Sequence, residues 1–425
     1  MKRIILFCVS IALGLQLQAQ ETLKISREEA ETMFLQNNLL LISEKLNIES
    51  QQAEVIQARL WPNPEFSISE INLWRAREVE PSPPLIGNFG RNQQIAFELN
   101  QLVQTAGKRK KLIALEQVDV SKAEQYFEDL LRGLKLELRN QLTNLQYIQQ
   151  SIKVHQNLID NISTLTNAYQ NQLEKGNISK AEYIRLKAQE LEINKEILEL
   201  TRQSNEIQKE LKLLLRTNPT VSIEITDDGF VKDTNPYEAI FIDQIVENAK
   251  ENRPDYKLAL LEEEYSNKLL SYEKAQRIPD MTFGVNYDRN GNTMLDFVGF
   301  GVSFDLPVFN RNKGNITKAK LQIENAKVQK EQTLLTIENE IFLAYKSLQQ
   351  AIDFVKSIEP DYEKDLDLLL ENYTKNFTSK NVSMLEYFDF MDAYLENKKI
   401  ILEAQKDVNQ KAEELNYSLG KDFNN

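Results

Sequence analysis

A mainly helical chain that also contributes strands to a membrane β-barrel is the fold class this sequence predicts, and three observations predict it. Two blocks of about a hundred residues repeat apolar side chains at three- and four-residue spacing. Short stretches with strict period-two alternation sit just before each block. The whole pattern then occurs twice, so the chain reads as an internal duplication.

The first helical block runs from about Ala106 to Leu215. It carries Tyr126, Leu130, Leu134, Leu138, Leu142, Leu145, Ile148 and Ile152 on one stripe. Ile184, Leu191, Ile197, Leu198, Leu211 and Leu214 follow after a break at Gly176. The second block, about Ile316 to Leu419, repeats the design with Leu334, Ile337, Ile341, Tyr345, Leu348, Ile352 and Val355. Glu, Gln, Lys and Asn fill the other faces, as coiled-coil packing requires. At 1.5 Å per residue, a helix of about 65 residues is roughly 100 Å long, more than a globular domain needs.

The strands follow the other period. In "MLDFVGFGVSFDL" one face takes Val298, Phe300, Val302, Phe304 and Leu306, and the other Phe297, Gly299, Gly301, Ser303 and Asp305. "MTFGVNY" alternates through Met281, Phe283, Val285 and Tyr287, and "DRNGNT" supplies the turn between the two. In the first half "QQIAFELNQLV" places Ile95, Phe97, Leu99 and Val103 together, with "PEFSISEINLW" as partner and "REVEPSPPLIGNFG" as an exposed loop. Strands of about ten residues, apolar on one face and small or polar on the other, fit a membrane barrel.

The helix breaks repeat as well. "NQLEKGNISKAEYI" returns as "KNFTSKNVSMLEYF" at a constant offset of 204 residues, pairing Tyr169 with Tyr373, Asn177 with Asn381, Ser179 with Ser383 and Glu182 with Glu386. "ARLWPNPEF" parallels "AQRIPDMTF" at an offset of 217, with Pro62 on Pro279. The chain therefore divides into residues 1–19, a leader; 20–217, a first repeat of helix, hairpin and long helix pair; 218–236, a linker; and 237–425, a second repeat. Asn177 and Asn381 are expected to cap the helices that follow them.

The leader "MKRIILFCVSIALGLQLQAQ" has basic Lys2 and Arg3, an apolar run and a small residue at Ala19, the pattern of a secretory signal. The only cysteine, Cys8, lies inside the apolar run, which argues against a lipid anchor there and leaves the mature chain without a thiol. The formal charge of −13 argues against a nucleic-acid backbone as partner. Within that balance "GKRKK" (Gly107–Lys111) reads as a strand-to-helix junction at the inner edge of the membrane, where cations meet lipid phosphates. No helix has an apolar run long enough to span a bilayer, so a barrel is the remaining membrane solution. His155, the only histidine, sits on a heptad-rich helix with no cysteine or acidic cluster nearby and is read as a surface or packing residue, not a catalyst. An enzyme is not expected. A periplasmic coiled-coil adaptor, which would carry one helical hairpin inside soluble β-domains, fits less well than a duct with two hairpins and two strand pairs.

Two hairpins supply four strands, too few to close a membrane barrel, whereas three copies supply twelve, within the range of known outer-membrane barrels. The signal, the duplicated hairpins, "LWPNPEF", "QTAGKRKK" and the two breaks resemble the TolC family of outer-membrane efflux ducts over essentially the whole mature chain, closest to its heavy-metal, CzcC-like branch. The resemblance implies a homotrimer with a 12-stranded barrel in outer-membrane lipid and a long coiled-coil helical tunnel in the periplasm. It implies that the duct passively conducts substrates from an inner-membrane pump of the resistance-nodulation-division type and its periplasmic membrane-fusion adaptor. Divalent heavy-metal cations are the expected cargo, with multidrug or detergent efflux, or a secretion duct of the same fold, as the alternative; no cofactor and no resident metal are implied. Gly176, Asn177, Ile178 and Ser179 fall on the family's adaptor-docking tip, and Asn381, Val382 and Ser383 on its second copy. There Lys380 stands where the family often carries Gly.

Glu386 and Asp389 match the family's acidic rings that narrow the tunnel entrance, with Asp392 continuing the face. The first copy has Glu182 and then Arg185, so the halves differ there. Carboxylates three residues apart share a helix face. Brought around a threefold axis at roughly 7 Å, each like-charged pair costs about 0.6 kcal/mol in water and more at lower dielectric.

Overall fold

The computed structural model describes the chain except residues 1–20, 70, 72–83, 85–93, 228–229, 231–236, 238–241, 290–293 and 423–425. The signal sequence, most of the Pro-rich loop, the tip of the "DRNGNT" turn and much of the linker lie outside the described residues.

The described elements run β1 (Thr22–Ile25), α1 (Arg27–Asn37), α2 (Leu39–Arg59), β2 (Glu65–Ser69), β3 (Ile95–Val103), α3 (Lys108–Glu174), α4 (Lys180–Leu215) and β4 (Ser222–Ile225). After these come α5 (Ile242–Asn252), α6 (Pro254–Ala275), β5 (Met281–Arg289), β6 (Asp296–Phe304), α7 (Lys313–Ser357), α8 (Tyr362–Thr378) and α9 (Met384–Leu419). The chain forms two compact units, and each draws on both sequence repeats. Of the described residues, those within 1–43, 128–253 and 335–425 make one unit, and those within 44–127 and 254–334 make the other.

The second unit holds the expected strands as one antiparallel sheet in the order β2-β3-β5-β6. Each hairpin pairs within its own repeat, and β3 joins β5 across them, with Ile95 opposite Arg289 and Val103 opposite Met281. The register puts Phe66, Leu99, Val285 and Phe300 in one row, and Ile68, Phe97, Tyr287 and Val298 in the next. Rings stack along this face, Phe66 on Phe97 at 6.2 Å and Phe97 on Tyr287 at 6.3 Å. No described residue covers it: Phe300 and Val298 are each 71% exposed. The opposite face carries Glu98, Asn100, Thr282, Asn286, Asp288 and Ser303. At Gly284 a Cβ would stand 2.5 Å from Asn100 Oδ1, so a larger residue there would displace the Asn100 side chain. β6 ends at Phe304, so Asp305 and Leu306 lie beyond the strand the alternation suggested.

At the end of this sheet Lys108 is buried and pairs with Asp280 at 2.8 Å, while Asp280 also accepts from the Thr105 backbone N–H at 2.9 Å. Ala106 and Gly107, both in the left-handed region, reverse the chain into α3. The "GKRKK" run is thus largely spent on the protein itself. Lys111 donates to the Ala106 carbonyl at 2.7 Å, and the Arg109 guanidinium lies 3.9 Å over the Trp61 ring. Of the basic residues in the run, Lys110 is the one the structure leaves exposed.

In the first unit β1 and β4 form a short parallel pair. Buried Leu138, Leu142, Leu145 and Ile148 form the predicted stripe of α3. Two expectations are corrected. The second helical block is not continuous to the tip: Pro360, which has no N–H to donate, lies in a break between α7 and α8. On α4 the chain buries Leu186 and Ile193, whereas Ile184, Leu191 and Leu198 are 52%, 62% and 52% exposed. Periodicity identified an apolar face but not which of two neighbouring stripes the chain itself covers.

Candidate functional site

Both helix breaks lie in the first unit, and they are built alike. At the first, the Gly176 N–H donates to the Leu173 carbonyl and the Asn177 N–H to the Gln172 carbonyl, each at 2.9 Å. At the second, Lys380 donates to Phe377 at 3.0 Å and Asn381 to Asn376 at 2.9 Å. These paired bonds are the Schellman end of a helix, which places one residue in the left-handed region. Gly176 has φ +73° and Lys380 φ +61°. The lysine therefore reproduces the glycine's turn despite its Cβ, at a cost of about 1–2 kcal/mol.

The next helix starts the same way in both copies. Ser179 and Ser383 are the N-caps, a correction to the expectation for Asn177 and Asn381. The asparagines lie two residues too early, and Asn177 Nδ2 donates to Gln172 Oε1 at 2.7 Å instead. Glu182 Oε2 accepts from Ser179 N at 2.8 Å and Glu386 Oε2 from Ser383 N at 2.9 Å, closing a capping box at each tip. Hydrogen bonds from the serine backbone and hydroxyl hold both carboxyls below the usual Glu range. Both caps are therefore charged and complete above that range, and acid loosens them.

Behind the tips lies an aromatic core. Phe377 stacks on Tyr387 at 4.6 Å and on Tyr169 at 5.7 Å, and Tyr373 stacks on Phe390 at 4.2 Å. Tyr387 is fully buried with its hydroxyl 3.2 Å from Thr374 Oγ1, whereas its counterpart Tyr183 is half-buried. Gly176, Asn177, Ser179, Asn381 and Ser383 are exposed; Ile178 and Val382 are half-buried, and Val382 packs against this core. The structure thus places the predicted tip residues on two turns of the same backbone geometry.

The acidic face is also assembled. Asp389 and Asp392 are exposed on α9 beyond Glu386, and Asp392 Oδ1 accepts from Gln189 Nε2 at 3.4 Å. Glu386 plays the part at its tip that Glu182 plays at the other, so its carboxylate serves the cap as well as the face. Further along the same helix, Lys398 is buried between Glu363 at 3.0 Å and Asp367 at 2.8 Å, and the Tyr394 hydroxyl donates to Asp367 at 2.8 Å. Sequence reading missed this cluster, although a lysine within an apolar stripe was a visible signal. His155 Nδ1 lies 2.8 Å from the Ser151 carbonyl, one turn back on its own helix. No group of metal-binding side chains occurs among the described residues, and none of their helices is long and apolar enough to cross a membrane.

No protein-family model matches the chain. The cobalt-zinc-cadmium resistance protein CzcC of Cupriavidus metallidurans is 19% identical over 306 residues, which cover 71% of this chain and 68% of that protein. A solved structure of CusC, described for folding and transmembrane channel formation, matches with TM-score 0.72 at 18% identity, covering 94% of each chain. The CmeC outer membrane channel of Campylobacter jejuni matches with TM-score 0.72 at 14% identity, covering 96% of this chain and 90% of that one. These relatives are named as channels or resistance proteins, none as an enzyme. The chain has the fold of the TolC-type outer-membrane channels, the family that its sequence motifs resemble.

Proposed function

We propose that this protein is the outer-membrane exit duct of a tripartite efflux system, working as a homotrimer. The observation that carries the reading is the four-stranded sheet, whose apolar face is bare and whose edges β2 and β6 have no partner among the described residues. An open apolar sheet of this kind is stable in lipid only when its edges close, and three copies close twelve strands. The helices support the same assembly. Leu321, Val328, Leu335 and Phe342 recur every seven residues along α7 at 49% to 66% exposure, and Ile184, Leu191 and Leu198 do so on α4. Apolar heptads that the chain leaves bare are coiled-coil seams for neighbouring copies. The two sequence repeats, 20–217 and 237–425, each supply one hairpin and one tip, which gives the trimer six tips.

The tips dock the periplasmic adaptor, and the pump behind it selects the cargo. Divalent heavy-metal cations are the cargo we favour, on the CzcC likeness and "LWPNPEF". In a host carrying the cognate pump and adaptor, Asn177→Arg with Asn381→Arg is expected to reduce zinc, cobalt and cadmium resistance to that of the strain lacking the protein, with normal amounts of assembled trimer. Full resistance in that variant would show that the tips are merely turns. Resistance to detergents or drugs, rather than metals, lost with the protein would reassign the cargo and leave the duct standing.

Glu386 and Asp389 form the gate in this reading. Carboxylates gathered around one axis attract cations and repel one another, so the entrance passes cations and is poised to open. Because Glu386 also closes a cap, Asp389→Asn is the cleaner single change and Glu386→Gln with Asp389→Asn the full one. In planar bilayers the double variant is expected to lose most of the cation preference, and Asp389→Asn part of it. Unchanged selectivity in the double variant would remove the gate from these residues.

A further inference from the structure

The segment after β6, residues 305–312, is a bare apolar knob held in place by its own polar groups. The Val308 N–H donates to the Leu306 carbonyl at 2.8 Å, Arg311 Nε to the Pro307 carbonyl at 3.2 Å, and Asn312 Nδ2 to the Glu273 carbonyl at 2.9 Å. On this frame Leu306 is 72% exposed and Phe309 is 100% exposed. A fixed loop presenting a wholly solvated phenylalanine wants a partner.

At the opposite edge of the sheet, the same unit carries a cleft of about 310 Å³, with Ala58, Leu60, Trp61, Pro62 and Leu112 as its apolar lining and Glu54, Gln57, Gln104 and Glu116 as its polar lining. Arg109 holds Trp61 from one side at 3.9 Å, leaving the indole well exposed. Knob and cleft lie at the same rim. The register puts Glu65 near the start of β2 in one row with Asn100, Gly284 and Gly301, so the chain before β2 and the chain after β6 leave the sheet in the same direction. They cannot meet within one copy, because three strand spacings of about 4.8 Å separate the two edges. Every neighbour in the sheet is antiparallel, so head-to-tail closure sets β6 of one copy antiparallel to β2 of the next and brings the chain after β6 and the chain before β2 to the same rim of one seam.

We propose that Phe309, flanked by Leu306 and Val308, seats in the cleft beside Trp61 of the adjacent copy and locks the barrel seam at its helix-proximal rim. The proposal rests on the trimer reading, and its test separates the two. In the full chain with Cys8→Ser, which leaves no other thiol, Phe309→Cys is combined with Ala58→Cys or with Trp61→Cys and treated with a short bifunctional thiol reagent in membranes. Covalent dimers and trimers are expected from both pairs, and none from Phe309→Cys with Ser69→Cys at the other end of β2. Phe309→Asp is expected to lose the detergent-resistant trimer band, with Phe309→Leu retaining it. Trimers that form without the cross-link would overturn the lock and spare the duct. Strong quenching by brominated phospholipids of a bimane on Phe309→Cys would likewise overturn it, assigning the knob to lipid. Absence of any trimer in the unmodified protein would instead strike the assembly itself.

Discussion

Phe300→Arg is expected to abolish assembly in the outer membrane, whereas Gly301→Arg, one residue along the same strand, is expected to be tolerated. The two positions differ only in the face they present. Phe300 lies at the middle of β6 in the row with Val285, Leu99 and Phe66, 71% exposed on the bare apolar face. An arginine at the midplane of the lipid face of a barrel costs roughly 2–4 kcal/mol. Threefold symmetry repeats that cost in every copy, so the total rivals the whole stability of an ordinary domain. Gly301 points to the polar face, and a Cβ there meets nothing within 4 Å. Fractionation of the membranes, with the heat-dependent gel shift of folded barrels, reads the outcome. Equal assembly of both variants would show that the apolar face does not meet lipid.

The second large effect is expected at Arg139. Its guanidinium is only 17% exposed and gathers Glu31 at 3.0 Å, Glu413 at 2.9 Å and Asp422 at 2.5 Å. It thereby ties α1, α3, α9 and the chain beyond α9 together. Burial works against its charge, but the hydrogen bond it donates to Asp422 and the three carboxylates outweigh that and raise its affinity for the proton. Arg139→Gln strands three carboxylates around a neutral amide and is expected to destabilise the helical unit by about 3 kcal/mol, the lower end for breaking a buried pair. The pH dependence follows from Asp422. The hydrogen bond it accepts from Arg139 and that cation's charge hold its carboxyl below the ordinary aspartate value of 3.8 against the opposing effect of burial. Its contribution to stability is therefore complete above about pH 3.8 and lost as pH falls through the lowered value. The gap between wild type and Arg139→Gln, followed by loss of helical circular dichroism, should be widest near neutrality and narrow in acid. A gap that is absent at neutral pH would show the cluster to be incidental.

The sequence made the strands and tips legible because both leave local signatures. Period-two alternation from Val298 to Phe304 survives as the bare face of β6, and the 204-residue echo marks two turns with the same backbone bonds. What was not legible depends on partners distant in sequence. The pairing of β3 with β5 joins the two repeats, and no local pattern specifies it. Arg139 finds Glu31 and Asp422 from opposite ends of the chain. Lys108 looked like a surface cation in a basic run until Asp280 turned it inward. The α4 stripe was misjudged because Leu186 and Ile193 share a helix with Ile184 and Leu191, and hydrophobicity alone does not say which set packs within one copy. The gate lies between these cases: the acidic spacing was plain, but the capping role of Glu386 emerges only when Ser383 is seen to start the helix.

The central claim is that one chain holds a third of a barrel. The mass of the detergent-solubilised full-length protein, measured by light scattering with the detergent contribution subtracted, tests it most directly. Twelve strands from four-stranded chains require three copies, so the account predicts a protein mass of three chains per particle. A homogeneous particle of one chain, still folded by its circular dichroism, would contradict it.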